Sequence, residues 1–339
     1  MKPIVLSAPA PRSLDLIFKR EKLNLLHDRY EVVETTDEDI SNLPVDVLGA
    51  ARYIIGQPPL SEQTLKALKQ LRAVLNVESN LLDNMPYQKV FERGIHVLTT
   101  GAVFAVPVAE LGLGIAIDLA RGITDADLDF RNGKEKWGGE GNQNASLLTG
   151  SDVGIIGYGD LGRALKKLLI GFNCTVKVYD PWLPPSILIE QGVTPSSLDE
   201  VLSQSDFIFV VAAVTSENSH FLGAAAFASM RKNTRFILLS RAEVVDFDAM
   251  IEAVLSGKIM AASDVFPEEP LPHDHRIRSL PNFIRSAHRA GALDVAFKKM
   301  GDMVLEDMEL MDKGLPPLRC KRAERETVSR MRSKPVSTN

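Results

Sequence analysis

The stretch that decides the reading of this chain is Val153-Gly-Ile-Ile-Gly157-Tyr-Gly159-Asp-Leu-Gly162-Arg-Ala-Leu165, followed by Thr175-Val-Lys-Val-Tyr-Asp180. A short apolar run enters a glycine-rich turn, a helix-forming segment leaves it, and a second apolar run ends in an acid. That order is the pattern of a dinucleotide-binding βαβ unit. Gly157 permits the tight turn after the strand, Gly159 lets the backbone approach a pyrophosphate, and Gly162 lets helix and strand pack closely. The helix start presents unpaired N–H groups and a positive dipole end to phosphates. The expected cofactor set therefore begins with Gly157, Tyr158, Gly159, Asp160, Leu161 and Gly162. Asp180 stands 18 residues beyond Gly162. A carboxylate there takes both ribose hydroxyls and repels a 2′-phosphate, which favours NAD over NADP.

Outward from this motif, the 339 residues can bury a large core and are expected to form two domains. A 45% hydrophobic and 24% charged composition is ordinary for a globular protein. The net charge of −5 argues against a nucleic-acid partner. Residues 319–339 carry seven Lys/Arg and two Glu, a net of +5, which leaves −10 for residues 1–318. This basic segment reads as a flexible or partner-docked C-terminal extension, with a solvated tail the favoured form. The two cysteines, Cys174 and Cys320, form no CxxC pair, and no Cys/His cluster has zinc spacing, so no metal is expected and a reducing cytoplasm fits. The N-terminus reads as a short strand, and Val103–Ile117, with Pro107 and Glu110, is too short to span a bilayer. No membrane partner is expected.

Strand-like and helix-like runs alternate throughout. Residues 4–7, 45–48, 53–55, 73–76 and 96–99 read as buried strands, with helices over 13–27, 61–70 and 85–93. Ser61-Glu-Gln-Thr is an N-cap start. Residues 107–121 form an apolar, buried helix, and 134–150 a polar loop. Beyond it, strands are expected over 153–156, 175–179, 207–212, 235–240, 259–264 and 283–287, with helices over 162–170, 197–203 and 247–256. Such alternation implies parallel sheets with helices on both faces.

Ligands of such sheets bind beyond the carboxyl ends of the strands. Those ends carry Ser240-Arg241, Ser263-Asp264 with Glu268 and Glu269, and Ser286-Ala-His288. An arginine, acids and a histidine thus meet on the rim expected to hold a nicotinamide. Histidine titrates near neutral pH and can exchange a proton with a carbonyl or hydroxyl oxygen. A neighbouring carboxylate orients the ring and favours its protonated form. Arginine grips a 2-oxo carboxylate with its planar fork. Asp264 can accept from the carboxamide of the nicotinamide. Either Glu268 or Glu269 can serve as the neighbour on local chemistry alone. A short-chain dehydrogenase is excluded, because none of the five tyrosines has a lysine four residues on.

At these residues the chain resembles the D-isomer-specific 2-hydroxyacid dehydrogenases. Ser240-Arg241 with Val244-Val245-Asp246 is similar to the family's arginine motif, Asp264-Val-Phe-Pro-Glu-Glu269-Pro270 to its glutamate motif, and His288-Arg-Ala-Gly291 to its histidine motif. The resemblance covers roughly residues 50–300. It implies a Rossmann doubly wound NAD domain (103–293) and a smaller flavodoxin-like α/β substrate domain made from both chain ends (1–102 and 294–318). It implies catalysis by Arg241, Glu269 and His288, with the acid before proline selected over Glu268. It places Ala212, Ser240, Asp264, His288 and Ala290 with the cofactor, and Val77, Glu78, Arg241 and His288 with the substrate. A homodimer is also implied. The expected activity is hydride transfer between NAD(H) and a 2-oxo or 2-hydroxy acid; the alternative is an NAD-sensing, corepressor-like interaction protein.

Several positions depart from the family pattern. Glu78 lies in Asn76-Val-Glu-Ser-Asn80, where a glycine-rich loop usually holds the substrate carboxylate on its N–H groups. Pointed inward, Glu78 would repel an anion and could bond a hydroxyl or a cation; the expected orientation is toward solvent. Phe104 replaces a common asparagine, Val211-Ala212-Ala213 a His-x-Pro, Ala242 a glycine, and Ala287 a proline. These changes leave the acid/base set intact and put the substrate side chain in question.

Overall fold

Short Val/Ile/Leu runs separated by helices have no polar face for water, so they pair side by side with both faces covered. The computed structural model describes residues 2–329 except Ser79 and Ser216. The chain divides into two compact units, Met1–Phe104 with Ala292–Asn339, and Ala105–Gly291.

In the first unit, β1 (Ile4–Ser7), β2 (Glu31–Glu34), β3 (Ala51–Ile55), β4 (Ala73–Asn76) and β5 (His96–Thr99) run parallel in the order β2-β1-β3-β4-β5. This is the flavodoxin-like order. Successive strand residues point to opposite faces. Val5, Tyr53 and Leu75 join one core with Met300, Val304 and Met308 of the helix Asp294–Asp312. Leu6, Ile54 and Val74 join the other with Leu65, Val90 and Leu48. Ser61 accepts the Thr64 N–H and starts the helix Glu62–Ala67, as its sequence implies.

In the second unit, β6 (Asp152–Ile156), β7 (Thr175–Tyr179), β8 (Thr194–Pro195), β9 (Phe207–Val210), β10 (Thr234–Leu238), β11 (Ile259–Ser263) and β12 (Phe283–Arg285) form a parallel sheet. The order β12-β11-β10-β9-β6-β7-β8 is that of a Rossmann fold, and it reverses direction between β6 and β9. Ser197 and Glu200 form a capping box on the helix Leu198–Gln204, and Asp246 caps Phe247–Leu255 by accepting from Ala249. The helix Ala105–Arg121 packs on this sheet: a Cβ on Gly112 would stand 2.4 Å from Leu239 Cδ1.

The structure corrects three expectations. Residues 45–48 are not a strand: Val45–Ala50 is helical, entered from Pro44, with Asp46 in its first turn and only Leu48 buried. Four residues of V-D-V-L alternation cannot separate a period of 2 from 3.6, and the proline and acid mark a helix start. The apolar segment is not too short to cross a membrane: helical structure over Gly101–Arg121 is long and apolar enough by those measures. Burial of Val108, Ile115, Ala116 and Leu119 accounts for its apolar character. The strand β2 and the helix Ile123–Arg131 had no sequence expectation.

The third correction concerns the basic segment. Its first part is not a solvated extension. A strand β13 (Lys321–Arg322) adds antiparallel to β5, and Cys320 and Ala323 are buried. Asp307, fully buried in the helix Asp294–Asp312, accepts the N–H groups of Leu318, Arg319 and Cys320 at 2.7, 2.9 and 2.8 Å. One carboxylate thereby anchors the return to the sheet. Residues 330–339 of this segment lie outside the described residues. Asp307→Ala should destabilise the first unit by about 3 kcal/mol or more, since each buried N–H left unpaired costs about 1–3 kcal/mol. A denaturation midpoint within error of wild type would contradict this anchoring.

Candidate active site

The glycine turn has the shape a dinucleotide requires. Gly157 has φ +92°, and a Cβ there would lie 2.6 Å from Ala212 Cα and 2.7 Å from Ala212 N. The turn after β6 is therefore pressed against the chain leaving β9. A Cβ on Gly162 would reach Gly157 O at 2.5 Å, whereas one on Gly159 would meet nothing within 4 Å. Gly159 thus faces open space at the start of the helix Asp160–Leu169, and no side chain caps that helix. Its first N–H groups suit a pyrophosphate. Leu161 and Asp160 stand in this first turn, while the Tyr158 side chain is buried beneath Arg163, 5.4 Å from the ring centroid.

Asp180 follows β7 and accepts from Tyr158 N at 2.7 Å and Trp182 N at 3.0 Å. The two bonds fix it beside the turn, and a carboxylate offers about four acceptor sites, leaving room for ribose hydroxyls. After β10, the Ser240 Oγ is buried with no hydrogen-bond partner. Such an orphaned hydroxyl fits a surface completed by a polar ligand. These observations match the donor and acceptor needs of NAD.

The chain leaving β11, β12 and β10 brings a carboxylate, an imidazole and a guanidinium to one rim. Glu269 accepts from Phe266 N at 2.8 Å through Oε1 and pairs with His288 Nδ1 at 2.6 Å through Oε2. One oxygen is pinned to backbone and the other holds the imidazole. With Glu269 ionised, Nδ1–H is the donor and Nε2 is left for a substrate oxygen. Burial opposes the charge on Glu269. The bonds from His288 and Phe266, with the positive charges of His288 and Arg241, outweigh it and hold this carboxyl below its ordinary range. Glu268 makes no part of this pair.

The loop bearing His288 is itself tied down. His288 N donates to Asp264 O at 2.7 Å, and the buried Asp264 carboxylate accepts from Arg289 N and Ala290 N, each at 3.1 Å. His288 has φ +47°, a left-handed conformation that a non-glycine residue holds only when its surroundings enforce it. Asp264 supplies that enforcement in addition to any bond to a carboxamide. Arg241 donates to Ser240 O at 2.7 Å. The structure thus assembles Arg241, Glu269, His288, Asp264, Ala290, Ser240 and Ala212 on the carboxyl rim of one sheet. Among the described residues, no group of three or more His, Cys, Asp or Glu side chains could hold a metal.

At the carboxyl rim of the first sheet, the sequence expectation needs correction. Glu78 does not point to solvent; its carboxylate forms a salt bridge with Arg12, and each side chain is 14% exposed. Its backbone N–H is also engaged, donating to Asn76 Oδ1 at 2.7 Å. Val77 is 1% exposed and packs in the core of this unit. Sequence reasoning missed Arg12. Its position just beyond β1, at a strand's carboxyl end, is the available signal.

The family described as D-isomer specific 2-hydroxyacid dehydrogenase, NAD binding domain, matches residues 113–290. A hydroxypyruvate reductase from Thermotoga maritima is 30% identical over 296 residues, covering 86% of this chain and 92% of that protein. A glyoxylate reductase from Korarchaeum cryptofilum is 29% identical over 268 residues, covering 76% and 79%. The crystal structure of a phosphoglycerate oxidoreductase from Rhizobium etli is similar at a TM-score of 0.92 and 65% identity, covering 96% of this chain and all of that one. The chain belongs to the D-isomer specific 2-hydroxyacid dehydrogenase family. Its class is that of the NAD-dependent oxidoreductases, and the corepressor-like alternative is not favoured.

The Glu269 environment carries a pH prediction. A carboxyl whose folded pKa lies below its ordinary 4.5 stabilises the fold above that value and loses the contribution as pH falls through the folded pKa. Between pH 7 and about pH 3.5, the melting temperature of wild type should therefore fall further than that of Glu269→Gln. Parallel melting curves across that range would contradict the electrostatic assignment.

Proposed function

We propose that this protein interconverts a small 2-oxo acid and the corresponding 2-hydroxy acid, with Arg241, Glu269 and His288 as its catalytic set. The observation that carries this reading is the 2.6 Å pair between His288 Nδ1 and Glu269 Oε2, on the rim that also holds Arg241. Bound NAD(H) supplies or takes up the hydride. His288 gives its Nε2 proton to the carbonyl oxygen in reduction and takes a hydroxyl proton in oxidation. Glu269 keeps the ring oriented and stabilises its protonated form. Arg241 grips the substrate carboxylate and polarises the adjacent carbonyl.

Gly157, Tyr158, Gly159, Asp160, Leu161 and Gly162 receive the pyrophosphate in this reading, and Asp180 the adenosine ribose. Ala212, Ser240, Asp264, His288 and Ala290 line the nicotinamide end. Val77 and Glu78 are assigned to the substrate by the family resemblance alone. The relatives named for hydroxypyruvate, glyoxylate and phosphoglycerate support a substrate of two or three carbons. A cytoplasmic setting fits the free thiols of Cys174 and Cys320.

His288→Ala should lower kcat by about 10²–10⁴-fold, the usual worth of one acid/base group, while changing NADH affinity far less. Stopped-flow oxidation of NADH with hydroxypyruvate or glyoxylate measures both. Unimpaired turnover would remove His288 from the mechanism.

The protein is further proposed to be a homodimer. In the second unit Ile123, Leu128, Phe130, Trp137 and Leu147 are all exposed, and the Phe130 and Trp137 rings contact each other at 6.5 Å. So many large apolar side chains close in sequence favour a covered surface. Sedimentation should give the mass of two chains, falling to one for the double variant Phe130→Asp/Trp137→Asp. A monomeric wild type would end this part of the reading.

A further inference from the structure

The turn that opens the helix Asp160–Leu169 combines two opposed electrostatic features. Its backbone suits an anion: a Cβ on Gly159 would meet nothing within 4 Å, and no side chain caps the helix, so its first N–H groups are left for a ligand at the positive end of the dipole. Yet the residue that begins the helix is an acid, Asp160, favoured there by the same dipole that would hold a phosphate. A second acid, Asp180, is bonded to the turn through Tyr158 N at 2.7 Å. Arg163, 5.4 Å from the Tyr158 ring centroid, brings one positive charge. Lys166 and Lys167 stand in the last turn, and Lys166 is about 9 Å of helix rise beyond Asp160. Two acids and one arginine thus leave a net −1 on the surface proposed to take a pyrophosphate, itself doubly negative. All of these residues belong to the second unit.

We infer that the Asp160 side chain limits the affinity for NAD(H), opposing the pyrophosphate that the surrounding backbone attracts and so speeding release of the cofactor after hydride transfer. The inference rests on the proposed function, which places the pyrophosphate on this turn, and deepens it. Backbone and side chain then act in opposite senses. The N–H groups of the turn give the site its position and its preference for phosphate. The carboxylate at the first helical position lies within the same turn, inside the distance over which like charges repel at low salt. In the empty protein it also takes up part of the dipole stabilisation that an arriving anion would otherwise gain. Each effect weakens binding, while the choice of ribose still rests on Asp180. A weaker hold is of use where release of the cofactor, rather than chemistry, limits turnover.

Asp160→Asn keeps the shape and removes the charge. In about 0.01 M NaCl it should lower Kd for NADH by about threefold to tenfold, and the dissociation rate should fall with it. Titration of NADH fluorescence gives Kd, and stopped-flow displacement by excess NAD gives the dissociation rate, so neither readout needs turnover. The Kd values of wild type and variant should converge in about 1 M NaCl, because the screening length shrinks from about 30 Å to about 3 Å between the two conditions. Asp160→Glu restores the charge and should bind NADH within about twofold of wild type. A residue that only supported the helix would give the opposite sign, since its loss would weaken NADH binding. Weaker or unchanged binding by Asp160→Asn, an unaltered dissociation rate, a difference undiminished at high salt, or an Asp160→Glu variant that tightens as Asp160→Asn does overturns the inference and leaves the proposed function standing. A wild type that binds no NADH overturns both.

Discussion

Every strand but β13 runs parallel to its neighbours, and that constraint organises the molecule. In a parallel sheet each crossover returns the chain to the same starting edge, so all strands finish on one rim. Groups distant in sequence then meet without any local signal. Arg241, Glu269 and His288 leave three adjacent strands, β10, β11 and β12, and meet at one edge. The same rule brings residue 12 to residue 78 in the other sheet. The backbone there is held by its own polar groups. Asp264 ties the histidine loop, Asp180 ties the glycine turn, and Asn76 ties the loop after β4.

The two carboxylates that matter most are handled differently. Glu269 is only partly shielded, and its charge is supported by one backbone N–H and an imidazole. It remains an anion able to stabilise a proton on its neighbour. Glu78 is more enclosed and faces a guanidinium that is itself bracketed by aromatic rings. Its charge is neutralised in place. The first arrangement leaves a carboxylate beside an imidazole, whereas the second closes a carboxylate onto a guanidinium.

Much of the second unit was legible because its signals are local. A glycine turn, an acid at a fixed distance and cap residues such as Ser197 and Asp246 each act within a few positions. The meeting of Glu269 with His288 was legible for a related reason: strand ends can be listed from the sequence, and parallel topology brings them together. The first unit was harder. The helix Val45–Ala50 hid behind four residues of alternation. The orientation of Glu78 depended on Arg12, 66 positions away, and no periodicity links them. The fate of the basic segment depended on Asp307, whose role is visible only once the helix Asp294–Asp312 is placed beside β5.

The short strand β13 has a consequence for how this protein must be handled. It occupies the outer side of β5, where Ala323 N also reaches Val97 O at 2.8 Å. If the chain were cut before residue 320, β5 would present a row of bare amide and carbonyl groups, which is a template for recruiting strands from other molecules. The two residues of β13 are Lys321 and Arg322, and their like charges discourage a further strand from adding outside them. Residues 320–323 thus guard the sheet against self-templated aggregation, and trimming the chain before them for crystallisation or labelling would invite insolubility.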